Sequence, residues 1–298
     1  MKRILLALVA VVVVGVVYYL FVRPFEYEVN FRATTTPGDV IETIRLWNRS
    51  MPGAQITEVD SFSRLNQTIV WKGKEYSYDW NFDFVNDSIT KINIRISEPE
   101  HALSNKLLVP FTSQPIEKDA GEIATTFYEV LKTHLDITRV EVKGLAQLEP
   151  AFCVCTALKT EQTDKANGMM KDFDLLTAVI EEFKLKSGGS PSVRVREWSH
   201  NKGKLKFDFC FPILKTDSLP AIDSIFYKGF EKQLTLKAEF RGNYITSDRA
   251  WYSLVHYAEK NGYEINGLPI EYFLDNPNLG MNEKNWKAEI YLPIKDKQ

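Results

Sequence analysis

The sequence predicts an α+β chain in three parts: an N-terminal transmembrane helix, an antiparallel-sheet domain, and a duplicated, pseudo-symmetric α+β domain. Three observations predict it. Residues 4–22 carry no charge. Between residues 27 and 96, three separate runs alternate apolar and polar side chains. Beyond residue 146, two segments with the same order of elements each end in an apolar run that holds an acid four residues before a proline: Asp208 before Pro212, and Glu289 before Pro293. The expected divisions are 1–24 for the anchor, 25–145 for the sheet domain, and 146–298 for the duplicated domain, with repeats at about 146–220 and 225–296.

The first element is read from length. The 19 uncharged residues from Ile4 to Val22 span about 28 Å as a helix, close to a hydrocarbon core of about 30 Å. Tyr18 and Tyr19 sit where interfacial aromatics sit, and Arg23 and Pro24 stop the run. A cleaved signal peptide would need small residues after its apolar core; Tyr18 to Val22 are large. Lys2 and Arg3 favour a cytoplasmic N-terminus and a soluble part outside the cytoplasm, although Arg23 and Arg32 weaken that count.

The second part is read from alternation. Tyr27, Val29 and Phe31 alternate with Glu28, Asn30 and Arg32; Tyr76, Tyr78, Trp80, Phe82 and Phe84 with Ser77, Asp79, Asn81 and Asp83; Ile92, Ile94 and Ile96 with Lys91, Asn93 and Arg95. A period of two with one apolar face describes antiparallel strands laid on a core. Asn86-Asp87 and Lys72-Gly73-Lys74 fit hairpin turns. Thr36-Pro37-Gly38-Asp39 has the chemistry of a helix start. Ile123, Phe127, Val130, Leu131 and His134 fall at helical spacing and predict a closing helix with His134 in its apolar face.

This order, a strand, short helices, several antiparallel strands and a long final helix, resembles the START-like helix-grip fold of the polyketide-cyclase family. The resemblance implies a sheet wrapped around the last helix and an apolar cavity between them.

The third part is read from repetition. The first copy has a helix face of Phe173, Leu176, Val179, Ile180 and Phe183, then Gly188-Gly189-Ser190-Pro191, then strands at Val193 to Trp198 and Phe207 to Ile213. The second has Trp251, Leu254, Val255 and Ala258, then Gly262 through Gly267-Leu268-Pro269, then strands at Ile270 to Leu274 and Ala288 to Ile294. A matching order at a matching spacing marks a duplicated unit. The second copy, with Phe240-Arg241-Gly242-Asn243-Tyr244, Gly262-Tyr263-Glu264, Pro269 to Pro277 and Glu289 to Ile294, resembles the GyrI-like small-molecule-binding domain, also called the AraC-type effector-binding domain. That resemblance implies two α+β halves around a cleft for lipophilic, often cationic, compounds, with a glutamate on the last strand among aromatics. Glu289 matches that position, and Tyr291 and Tyr272 match aromatic positions. Trp198, at the end of the corresponding strand of the first half, and Trp251 complete the ligand-binding set.

The residues support such a site on physical grounds. An ionised carboxylate in an apolar strand needs a donor, a raised pKa or a cationic ligand. The plain alternative is a strand acid satisfied by the backbone or by a lysine such as Lys287. Asp208 is its duplicate in the first half, and it either shares that environment or faces solvent.

Composition limits the other functions. The chain has 298 residues, 37 basic and 39 acidic, with a net charge of −2. No basic block marks a nucleic-acid surface, and no recognition helix precedes the duplicated domain. The four histidines and three cysteines show no metal-ligand spacing, and no phosphate-binding or nucleophile-elbow motif appears; no metal or cofactor is expected. Cys153 and Cys155 share a strand face, and either reaches Cys210 if the compartment is oxidising; otherwise all three read as small buried residues. The expected function is a membrane-anchored protein that senses or sequesters a lipophilic small molecule. The alternatives are a hydrolase of reactive small molecules, whose only candidate catalytic residue is Glu289, and a ligand-free interaction scaffold.

Overall fold

The structure is a computed structural model that describes residues 2–86, 88–216, 218–280 and 282–296. It forms two compact units, Met1–Lys132 and Thr133–Gln298.

The first unit opens with α1 (Lys2–Val17), which continues as a wider π-helical turn over Tyr18–Val22. The apolar side chains of this helix are exposed on the protein, and the helix is long and apolar enough to cross a membrane. The sheet follows: β1 (Tyr27–Ala33), α2 (Pro37–Asn48), β2 (Gln55–Asp60), β3 (Arg64–Trp71), β4 (Lys74–Asn86) and β5 (Ile89–Ser97). The strand order is β1-β5-β4-β3-β2, antiparallel throughout. Thr36 caps α2 by accepting from the Asp39 amide, as its sequence predicts. Lys72 and Gly73 both take positive φ in the β3–β4 turn, which matches the right-handed twist of the strands. Asp87, in the other expected hairpin, lies outside the described residues.

Alternation becomes a core. Tyr76, Tyr78, Trp80 and Phe82 are buried with Ile92, Ile94 and Ile96. The helices α3 (Ala102–Leu108) and α4 (Pro115–Ile137) come next. Ile123, Phe127 and Leu131 of α4 are buried, and Phe127 meets Trp80 edge-on at 4.9 Å. Two expectations change. Val130 is exposed, because it lies one position off the 3.6-residue stripe that Phe127 and Leu131 define. His134 is half-buried and its Nδ1 lies 3.2 Å from the Thr138 hydroxyl. α3 was not foreseen: seven residues are too few to show a period.

The second unit takes in the last residues of α4, and its first strand, β6 (Arg139–Leu148), runs across the division at 145/146 that the sequence suggested. The first repeat is β7 (Ala151–Glu161), α5 (Lys165–Glu182), β8 (Ser192–Ser199) and β9 (Lys204–Pro212). Then come β10 (Phe226–Phe230) and the second repeat: β11 (Gln233–Arg241), α6 (Arg249–Lys260), β12 (Ile270–Phe273) and β13 (Lys287–Pro293). The sheet order, β10-β7-β9-β8-β12-β13-β11-β6, reads the same from both edges. The repeats meet at β8 and β12. Each outermost strand is supplied from just before the other repeat: β6 pairs β11 and β10 pairs β7. α5 and α6 cover one face, with Leu176, Val179, Trp251 and Leu254 buried against Phe207, Phe209, Ile290 and Leu292.

Candidate ligand-binding site

The face of the second sheet away from its helices carries the candidate site. Residues paired across antiparallel strands point the same way. One row runs Asp208, Arg194, Ile270, Tyr291, Lys237, and the next runs Cys210, Ser192, Tyr272, Glu289, Glu239. Glu289, Tyr272 and Tyr291 are therefore neighbours, as expected of them. Tyr272 and Tyr291 meet edge to face at 5.9 Å, and Ile270, Leu148 and Tyr291 form a small apolar cluster beside them.

Glu289 is not a bare carboxylate. The Tyr291 hydroxyl donates to it at 2.5 Å, and Lys237 pairs with it at 2.7 Å. Burial is the largest single influence and works against ionisation. The hydrogen bonds from Lys237 and Tyr291 together with the charge of Lys237 outweigh it, so the carboxyl titrates below its usual range. The lysine is Lys237, one strand over, rather than its sequence neighbour Lys287. Burial and the Glu289 carboxylate raise the Tyr291 phenol.

Asp208, the duplicate acid, does not face solvent. It is buried, pairs with Arg196 at 2.8 Å, and is raised by desolvation against the pull of nearby cations. Arg194 stands between the two acids. It is 5% exposed. One of its terminal nitrogens donates to the Tyr272 hydroxyl at 2.5 Å, and its guanidinium stacks on Phe230 of β10 at 3.6 Å. Burial depresses its pKa, and so makes the charge costly.

Trp198 and Trp251 are corrections. Both lie on the helix-covered face. Trp251 is buried in the core, because α6 turns that side of its apolar stripe onto the sheet. A bulge between Val195 and Glu197 leaves Trp198 edge-on to Trp251 at 5.2 Å and to Tyr252 at 5.3 Å, with its indole N–H donated to Gln162. The same face holds a buried polar cluster. Lys165 Nζ donates to both oxygens of Glu271 at 2.7 Å, Ser247 donates to Glu271 at 2.8 Å, and Gln162 donates to Asp248 and Tyr252. These groups satisfy one another and tie the start of α5 to the start of α6.

Sequence reasoning missed Arg194, Lys237 and Phe230. Arg194 had a signal: in Val193-Arg194-Val195 it must oppose the valine face. That this opposite face is itself covered is a tertiary fact. Cys155 and Cys210 are directly paired across β7 and β9 and form a disulfide, while Cys153 is a buried free thiol. Among the described residues no three His, Cys, Asp or Glu side chains gather as a metal site. In the first unit a groove of about 330 Å³ opens on the sheet's polar face between Phe25, Arg64, Asn66, Asp79 and Arg95, and the Arg64–Asp79 ion pair at 2.7 Å crosses it.

The second unit is thus a repeated α+β unit with a symmetric sheet, helices on one side and a charged, aromatic face on the other. Residues 161–295 match the GyrI-like small molecule binding domain. No curated protein matches the chain. Similar solved structures include the C-terminal domain of EcmrR, 14% identical over 54% of this chain and 99% of that one with a TM-score of 0.44. SAV2435 bound to tetraphenylphosphonium is 16% identical over 52% and 94% with a TM-score of 0.39. A hydrolase from Listeria innocua is 10% identical over 51% and 92% with a TM-score of 0.34.

Proposed function

We propose that this chain is a membrane-anchored protein that senses or sequesters a lipophilic small molecule on the Tyr272–Tyr291 face of its GyrI-like domain. The observation that carries the reading is the juxtaposition there of an aromatic and aliphatic pad with a few fixed polar groups, the composition of a site that holds an apolar body and orients one polar head. Glu289 is held ionised by Lys237. A general base poised near neutral pH would be raised instead, so binding is favoured over hydrolysis. We further propose a START-like helix-grip architecture for the first unit, supported by the α4 helix packed on its sheet.

The apolar helix supports anchoring, and so does the segment next to its end. Lys106 of α3 donates to the carbonyls of Leu20 and Arg23, which satisfies groups that a helix end leaves orphaned. In α3 and just after it, Leu103, Leu107, Leu108 and Phe111 are exposed, Phe111 by 83%. Apolar residues clustered at the foot of a membrane helix suit the lipid interface. The Cys155–Cys210 disulfide supports an oxidising compartment, outside the cytoplasm.

The reading is tested by thermal denaturation of the full chain in non-ionic detergent against a panel of lipophilic cations, anions and neutral analogues. Ligand at a hundred times its dissociation constant adds about 2.7 kcal/mol, which raises the melting temperature by several degrees. If no class shifts it, a scaffold replaces a receptor.

A further inference from the structure

The charge of the binding face is set by Arg194 more than by Glu289. Glu289 already has Lys237 and Tyr291. Asp208, directly across from Arg194, already has Arg196. Arg194 is the group left over. Among the described residues no carboxylate pairs with it, and its Nε is buried without a hydrogen-bond partner. Lys228, over the same Phe230 ring at 5.3 Å, adds a second positive charge. Stripping water from a guanidinium is costly unless its donors are met. The Phe230 stack offsets only part of that, and the Tyr272 hydroxyl meets one N–H. The fork between Nε and a terminal nitrogen is the geometry that a planar oxyanion fills with two parallel hydrogen bonds.

We propose that the site takes a lipophilic anion, a carboxylate on an aromatic or aliphatic body, with Arg194 as the group that reads the head and Ile270, Tyr291 and Leu148 as the floor under the body. This rests on the ligand-binding reading above and gives the ligand the sign opposite to the one Glu289 suggests. Phe230, on the edge strand β10, stacks over the guanidinium, so the carboxylate enters beside or beneath its ring.

Three probes of one shape and different charge decide it: 2-naphthoate, 2-naphthylmethylammonium and 2-naphthalenemethanol, titrated calorimetrically into the full chain in non-ionic detergent. The expected result is that naphthoate binds at least tenfold tighter than the other two. Arg194→Lys, which keeps the charge but loses the fork, should weaken naphthoate at least tenfold, and Arg194→Gln should erase the preference. The wild-type ranking carries the test even if the variants fail to fold. A preference for the ammonium that Glu289→Gln removes would overturn the anion and leave the binding reading standing. Equal binding of all three, or a naphthoate preference untouched by both Arg194 variants, would also overturn it. Binding of none would sink the ligand-binding reading itself.

Discussion

Individual side chains hold two of the strongest electrostatic commitments in the chain. Glu26, 4% exposed, accepts the Glu98 amide at 2.8 Å, yet burial raises its pKa to about 7. Its folded pKa lies above the ordinary 4.5, so the folded state binds the proton more tightly between those values. Stability is then full below about pH 4.5 and is lost as pH rises through 7, by at most about 1.4 kcal/mol per unit. Urea midpoints between pH 5 and 8 should fall in the wild type, and Glu26→Gln should flatten the fall; an unchanged slope would refute the assignment. The Lys165–Glu271 pair is 0% exposed at both side chains. Burial raises Glu271 against the pull of Lys165. Lys165→Met strands the acid and should cost about 3–5 kcal/mol in urea denaturation, while Lys165→Met with Glu271→Leu should recover much of it. Neither residue stood out in the sequence: an acid between Ile270 and Tyr272 looks the same whether its partner is water or a lysine 106 residues away.

Among the elements, the duplication explains the second unit. In the first repeat Gly188 donates to the Pro212 carbonyl, and Ser187 bridges Ile213; in the second, Asn266 donates to the Pro293 carbonyl and Ile265 bridges Ile294. The turn before each pair of strands thus makes the same contact, to the proline that ends the last strand of its own repeat. The glycines are required by proximity. A Cβ on Gly267 would sit 2.8 Å from Pro293 Cβ, and one on Gly188 would sit 3.1 Å from the Ile213 backbone. Gly267→Ala should destabilise by about 1–3 kcal/mol, read as a lower melting temperature with the same denaturant slope; a neutral result would mean that the loop yields. The exchange of β6 and β10 between repeats was not legible. β6 alternates clearly and β10 does not, but a strand's pattern states which face is apolar, not which neighbour it pairs.

At the scale of the whole molecule, one covalent bond bears on location. The disulfide closes a 55-residue separation, worth about 4 kcal/mol by the chain-entropy rule. If the soluble part lies in an oxidising compartment, the denatured chain taken from native membranes should show one reactive thiol before reduction, Cys153, and three after. Three at once would mean a reducing face and would remove the support for an external domain. Anchoring is checked in the same sample: carbonate washing should leave the full chain in the membrane pellet and release a chain lacking residues 1–24.

The sequence by itself determined the apolar helix, three of the five strands of the first sheet, and the two repeats. Each follows from period, length or a repeated spacing, which are properties of neighbours along the chain. Only the tertiary structure decided the rest. It turned Trp198 and Trp251 to the helix side, gave Glu289 to Lys237 and Asp208 to Arg196, and left Arg194 buried with its Nε unmet. Those outcomes depend on cross-strand register and on what covers each face, and a local pattern contains neither. The charge a site presents is what remains after its residues have paired with one another, and that remainder exists only once the sheet has formed.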